Sequence, residues 1–231
     1  MDIGYLTSDA IKYPSQDWKK VLILGILILT SFLIVPAFLV MGYVFRAMKW
    51  SIAGVDQLPE FDGWGEMFTD GLKIMVVELA YFIIPTIMIV MGIWASLGTL
   101  VTSGVFGNEL SFNSAFSTFG FMGGVIITGL VVAVIFGVFF TIGIANMAYH
   151  DSEIQAAFRF QEILNRIRAI SWVDYLIWYV MMIFLGIIIS TVIGLLGFIP
   201  ILGWALIVLL LYPYVYLLYA RALGLLFLSG L

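Results

Sequence analysis

The sequence predicts an all-α fold, a polytopic transmembrane helical bundle of five apolar segments joined by two amphipathic helices at the cytoplasmic interface. Three observations predict it. The chain is 63% hydrophobic and only 10% charged over 231 residues, which leaves too little polar surface to coat a water-soluble globule of that length. Charge-free runs extend from Leu79 to Asn108, from Leu110 to His150 and from Tyr175 to Ala220; each exceeds the roughly 20 apolar residues that cross a hydrocarbon core, and the third is long enough to cross twice. Finally, five of the fourteen acidic residues crowd between Asp56 and Asp70, so polar chemistry is concentrated in one short stretch of a single membrane domain covering 1–231.

The first twenty residues carry Lys12, Lys19 and Lys20 after acidic residues, and the following run has no small-residue cleavage pattern, so this segment reads as interfacial rather than as a secretory signal. The first apolar segment, about 21–45, has 25 residues, about 37 Å of helix at ~1.5 Å per residue. It has bases at both ends, Lys19 and Lys20 before it and Arg46 and Lys49 after it. Length favours crossing, whereas the charge pattern favours a re-entrant hairpin that turns back at Pro36. Both alternatives stay open.

Residues 56–73 are expected to form an interfacial amphipathic helix, with Asp62, Glu66 and Asp70 spaced by four and therefore on one face. Phe61, Trp64, Met67, Phe68 and Leu72 alternate with them, as in a helix lying in the headgroup zone. The second apolar segment, about 74–101, contains Pro85; the third, about 121–148, is rich in glycine and includes Gly120-x-x-x-Gly124, a spacing that lets helices approach closely or copies associate.

Residues 153–170 read as a second amphipathic interfacial helix. Ser152 and Gln155 have capping-box spacing, Ala157, Phe160, Leu164 and Ile167 form the apolar side, and Gln155, Arg159, Glu162 and Arg166 the polar side. The last charge-free run divides at Gly197 to Gly203 around Pro200, because proline cannot continue a helix from the preceding turn. The result is a tight hairpin of segments 172–196 and 202–228. Lys73, Arg159, Arg166, Arg168 and Arg221 put the polar ends of the last four segments on the cytoplasmic side, with the Thr102 to Gly120 loop and the Pro200 turn outside. Ile34-Val35-Pro36 followed by Arg46 is a weak echo of Ile199-Pro200-Ile201 followed by Arg221.

Composition excludes several classes of function. The chain has no cysteine, hence no disulfide framework and no thiolate chemistry. A net charge of −4 with bases clustered beside apolar spans points away from nucleic acid. No catalytic set is recognisable, and no cofactor is implied. The ligand- or ion-binding candidates are Asp62, Glu66, Asp70, Glu78 and Arg46. Carboxylates so spaced would suit a hard cation; whether they bind a metal stays open. Glu78 lies one turn into the second span, where an ionised carboxylate needs a partner or a wet cavity, and Arg46 is the expected counter-charge. Trp64, Arg159, Arg166 and Arg168 are the lipid-headgroup candidates. His150, the only histidine, reads as interfacial.

Three stretches carry a family resemblance: Gly42-Tyr43-x-x-Arg46; Leu58-Pro59-Glu60-Phe61-Asp62-Gly63-Trp64-Gly65-Glu66-Met67-Phe68-x-Asp70-Gly71-Leu72-Lys73; and Ala156-Ala157-Phe158-Arg159-Phe160-x-Glu162-Ile163. On these the chain resembles a prokaryotic membrane family, prominent in archaea, catalogued as domain of unknown function 4013. Phe61 stands where that family usually has tryptophan. The resemblance implies no catalytic residue.

The resulting expectation is a multi-pass protein of the cell membrane that is not an enzyme and acts as an accessory or scaffold, binding membrane lipids or a partner protein at the cytoplasmic face, as a homo-oligomer or within a larger membrane complex. A small transporter or channel for a cation or polar solute is the alternative, and a metal-dependent lipid-modifying enzyme the second alternative.

Overall fold

The computed structural model describes residues 3–104 and 112–231. Among the described residues the chain is helical, without strands. It forms two compact units, one of Met1–Val77 with Thr141–Leu231 and one of Glu78–Phe140. Four helical stretches are long and apolar enough to cross a membrane: Trp64–Ala95, Gly120–Tyr149, Trp172–Leu196 and Leu202–Leu228. These correspond to the second to fifth predicted segments and mark a multi-pass membrane protein. The first predicted segment is not among them.

That segment is broken in two. After α1 (Ile3–Lys12) and a 3₁₀ turn over Tyr13–Gln16, Asp17 caps α2 (Trp18–Leu29) by accepting the Lys19 and Lys20 amides at 3.0 and 3.2 Å. With 12 residues, α2 is about 18 Å long at ~1.5 Å per residue, short of a ~30 Å hydrocarbon core. It ends where the Thr30 and Ser31 hydroxyls donate back to the Ile26 and Leu27 carbonyls, competing with continued helix. Ile34 then turns the chain at φ 66°, and α3 (Val35–Ile52) starts with Pro36 in its first turn, where the missing N–H costs nothing. Pro36 thus opens a second helix and is not the turning point itself. Both ends of this hairpin meet the same strip of chain. Tyr13 donates to the Gln57 carbonyl at 3.1 Å, Lys20 to the Leu58 carbonyl at 2.8 Å, Tyr43 to the Pro59 carbonyl at 2.9 Å and Arg46 to the Asp62 carbonyl at 2.7 Å.

Residues 56–73 do not form a separate helix. Pro59 disfavours helical geometry in the residue before it and Gly63 sits at φ 56°, so Asp56 to Gly63 is irregular. The helix begins only at Trp64, as α4 (Trp64–Gly104), and runs 41 residues through Pro85. The α3–α4 crossing requires glycine: a Cβ on Gly42 would lie 1.8 Å from the Met67 carbonyl oxygen, and one on Gly71 2.0 Å from that of Phe38.

In the second unit α4 packs on α5 (Phe112–Tyr149). A Cβ on Gly129 would reach the Ile89 side chain at 2.8 Å and one on Gly92 that of Ile126 at 2.6 Å, while Tyr81 sets its ring edge-on to Phe136 and Phe140. Gly120, Gly123 and Gly124 face open space among the described residues, so the Gly120-x-x-x-Gly124 pair makes no helix contact there. The loop expected over Thr102 to Gly120 is narrowed from both sides by helix, and Glu109 lies outside the described residues.

Residues 153–170 also split, into a 3₁₀ turn over Ile154–Phe158 and α6 (Phe160–Ile170). The expected capping box does not form: Ser152 takes φ 65° and its hydroxyl meets the Lys49 ammonium at 3.2 Å. The break at Arg159 resets the helical register, so the buried stripe is Ile163, Ile167 and Ile170, and Phe160 is exposed.

The terminal hairpin is as expected. α7 (Trp172–Leu196) is followed by a turn and by α8 (Leu202–Leu206), a π-helical stretch over Ile207–Leu211 and α9 (Tyr212–Leu228). Ile201 turns the chain at φ 61° and ψ −61°, close to the φ 66° and ψ −57° of Ile34. The sequence echo between the two hairpins therefore extends to turn geometry. α9 is the axis of the first unit, with α1, α2 and α3 packed along it. The π stretch lies against α2 so closely that a Cβ on Gly25 would sit 2.3 Å from the Leu209 carbonyl oxygen.

Candidate functional site

The polar segment folds over the hairpin as a clasp, and each of its five acids has a basic partner. Glu60 meets Lys20 at 2.8 Å, Asp62 and Glu66 share Arg46 at 2.7 and 3.7 Å, Asp70 meets Lys73 at 3.8 Å, and Asp56 meets Arg221 at 2.5 Å. Lys20 and Arg46 lie inside this clasp; the Arg46 side chain is 14% exposed, whereas Asp62 and Glu66 are 79% and 85% exposed, and only in the Asp70 pair is the lysine the more exposed member. An ion pair with so exposed a carboxylate is worth about 0–1 kcal/mol. The clasp is therefore held by the sum of its contacts, including carbonyl acceptors for the cations and the Phe61 ring stacked on Tyr43 at 3.9 Å and 4°. Among the described residues no three His, Cys, Asp or Glu side chains are grouped to hold a metal ion. The carboxylates that suggested one are turned to resident cations.

Arg46 thus brings together Asp62 and Glu66, not Glu78. Asp70 stands apart with its own lysine, and Glu78 is exposed with no cation paired to it among the described residues. Of the headgroup candidates, Trp64 is half-exposed beside Phe61, Arg168 is exposed, Arg159 pairs with Glu153 at 2.7 Å and Glu162 at 3.5 Å, and Arg166 turns inward.

Two polar centres were not apparent in the sequence. The first is Arg221, which is 3% exposed. Its Nε donates to Asp9 at 2.8 Å, Nη1 to the Val55 carbonyl at 3.0 Å and Nη2 to Asp56, and its guanidinium lies 5.0 Å from the Tyr13 ring centroid. It ties α1, α9 and the start of the clasp together. Burial raises Tyr13 to about 12, against the opposing pull of Arg221. An arginine late in an apolar span demands a partner, but nothing near Arg221 in the sequence names Asp9 or Asp56.

The second is a cleft of about 390 Å³ lined by Asn146, Tyr149, His150, Glu162, Asn165, Arg166 and Ala169. Buried Asn146 donates to the Ala156 carbonyl at 2.9 Å and to Glu162 at 3.2 Å. That amide, aided by Arg159 and His150, holds the Glu162 carboxyl below the usual carboxylate range. His150 Nδ1 contacts the Asn146 carbonyl at 3.0 Å, and Nε2 lies 3.9 Å from Glu162. Arg166 donates to the Gly230 carbonyl at 2.6 Å with its guanidinium 4.6 Å from the Phe227 ring centroid. The signal for this cleft was the paired spacing Asn146/His150 and Glu162/Arg166, each four apart and so on one helix face.

The three stretches that carried the resemblance serve these contacts. Gly42 permits the crossing, Tyr43 and Arg46 grip the clasp, Glu162 lines the cleft, and Ala156 and Arg159 hold Asn146 and Glu162 in place there. No curated protein and no solved structure matches the chain. A family model described as protein of unknown function (DUF4013) matches residues 24–198, from within α2 to the turn after α7, and the chain belongs to that family.

Proposed function

We propose that the protein is a non-enzymatic scaffold of the cell membrane, with four spans and a re-entrant α2–α3 hairpin, that organises lipid or a partner protein at its cytoplasmic face. The observation that carries this reading is the clasp: its acids are committed to lysines and arginines of the same chain, which suits a fixed platform better than a site that takes up and releases a cation. The hairpin supports it. Phe32, Leu33, Ile34 and Val35 at its tip are exposed and apolar, as a segment dipping into lipid from one face requires. Bases at both ends of the first segment then lie on one side, in keeping with the orientation of the other spans.

The test is purification of the full chain in mild detergent followed by native mass spectrometry. Retained phospholipid or a stoichiometric partner is the expected result; a bare protein under every mild condition contradicts the reading. The transporter alternative rests on Glu78, exposed on an apolar helix without a paired cation. It requires solute flux into proteoliposomes that Glu78→Gln abolishes, and absence of flux under cation and solute gradients eliminates it.

A further inference from the structure

Glu162 and Arg166 stand four residues apart on α6, acid before base, the order that ordinarily closes an ion pair on a helix surface. Here they do not pair. Arg166 is drawn to the Gly230 carbonyl and over the Phe227 and Tyr149 rings, while Glu162 is drawn the other way by Asn146, Arg159 and His150. The cleft is lined by both members of the separated pair, an anion and a cation. Arg166 uses only Nη1 in a hydrogen bond among the described residues, leaving Nε and Nη2 as donors. Exposed Asn165 and the Tyr149 hydroxyl add neutral polar groups to the lining. The cleft lies between the end of one candidate span at Tyr149 and the start of the next at Trp172, the level at which headgroups sit.

We infer that this cleft binds a zwitterion carrying a phosphate and a primary amine on a short linker, the phosphate on Arg166 and Asn165 and the ammonium on Glu162: the phosphoethanolamine group, as a phospholipid headgroup or free. A guanidinium with two unused donors matches a phosphate, and an ionised carboxylate matches an ammonium with hydrogens to donate. A choline headgroup lacks those hydrogens, and a glycerol headgroup lacks the charge. The inference rests on the lipid-binding reading above and names its headgroup.

The test uses the full chain in detergent, with binding of dihexanoyl phosphatidylethanolamine, phosphatidylcholine and phosphatidylglycerol and of free phosphoethanolamine measured calorimetrically. Phosphatidylethanolamine is expected to bind at least tenfold more tightly than the other two lipids. Glu162→Gln should remove that preference, and Arg166→Gln should weaken all phosphate-bearing ligands together. Asn165→Ala, at an exposed position where substitution shifts stability little, should weaken phosphatidylethanolamine several-fold and guards against a loss that is merely structural. Free phosphoethanolamine binding as tightly as the lipid assigns the site to the soluble compound, and weaker binding assigns it to the headgroup. Equal affinity for phosphatidylethanolamine and phosphatidylglycerol, or a preference untouched by Glu162→Gln, overturns the inference while leaving lipid binding intact. Failure of all three lipids to bind overturns this inference and argues against a lipid-binding role for the scaffold.

Discussion

At the scale of single residues, Arg221 is the side chain on which most depends. A cation 3% exposed is tolerated because two carboxylates and a carbonyl receive its hydrogens, and removing one member of such a set costs more than the set contributes. Arg221→Met would forfeit the hydrogen bonds of a charged donor to Asp9, Asp56 and the Val55 carbonyl, a loss of about 1.5–3 kcal/mol, while the acids, being partly exposed, regain water. Asp56→Asn should cost under about 1 kcal/mol, since a carboxylate 78% exposed is largely screened. Thermal unfolding in detergent checks the order: the arginine variant should fall well below wild type and the aspartate variant stay near it. Equal effects would mean that the cation is not held as described. The sequence shows this residue but hides its role, because lysine and arginine near span ends are expected at the interface whether or not they are buried, and its acidic partners lie more than 160 positions away.

At the scale of elements, long apolar helices were readable because continuous hydrophobicity and length decide them, and the Pro200 turn because proline and two glycines stop a helix locally. The first apolar segment was not readable from length. Its break depends on Thr30 and Ser31 bonding back to the helix and on the tertiary grip of residues 57–62 at both ends. The polar segment deceived in the opposite sense: carboxylates four apart look like a helical face, yet tertiary cation pairs and Pro59 hold Asp56 to Gly63 out of helix. The α3–α4 crossing gives the sharpest element-level prediction. Gly42→Ala puts a carbon 1.8 Å from the Met67 carbonyl oxygen, so the helices must separate, at a cost of about 3 kcal/mol, the upper end of ordinary overpacking. Gly65→Ala, with nothing within 4 Å of the new carbon, should be neutral or stabilise by up to about 1 kcal/mol. Denaturation midpoints of the two variants should move apart; a Gly42→Ala protein as stable as wild type would refute the close crossing.

At the scale of the whole molecule, the clasp, the hairpin and α9 form one construction. The hairpin packs on α9, the clasp closes over both ends of the hairpin, and Arg221 of α9 fastens the start of the clasp. This arrangement bears on the charge pattern that the sequence left open: Lys20 and Arg46 flank one apolar segment and still reach the same strip of chain. It also accounts for the candidate site only in part. Asp62 and Glu66 meet at Arg46, the cation expected for Glu78, and the cleft around Glu162 and Arg166 is completed by Asn146, Tyr149 and His150, which only tertiary packing brings to that helix. The central claim is that the first apolar segment enters and leaves the membrane on one side. The chain has no cysteine, so single cysteines can be read without background. In sealed vesicles of known orientation, Gln16→Cys and Gln57→Cys, both exposed, should react with a membrane-impermeant maleimide from the same side, and Phe198→Cys in the α7–α8 turn from the opposite side. Labelling of Gln16→Cys and Gln57→Cys from opposite sides would show that the segment crosses and would contradict the account.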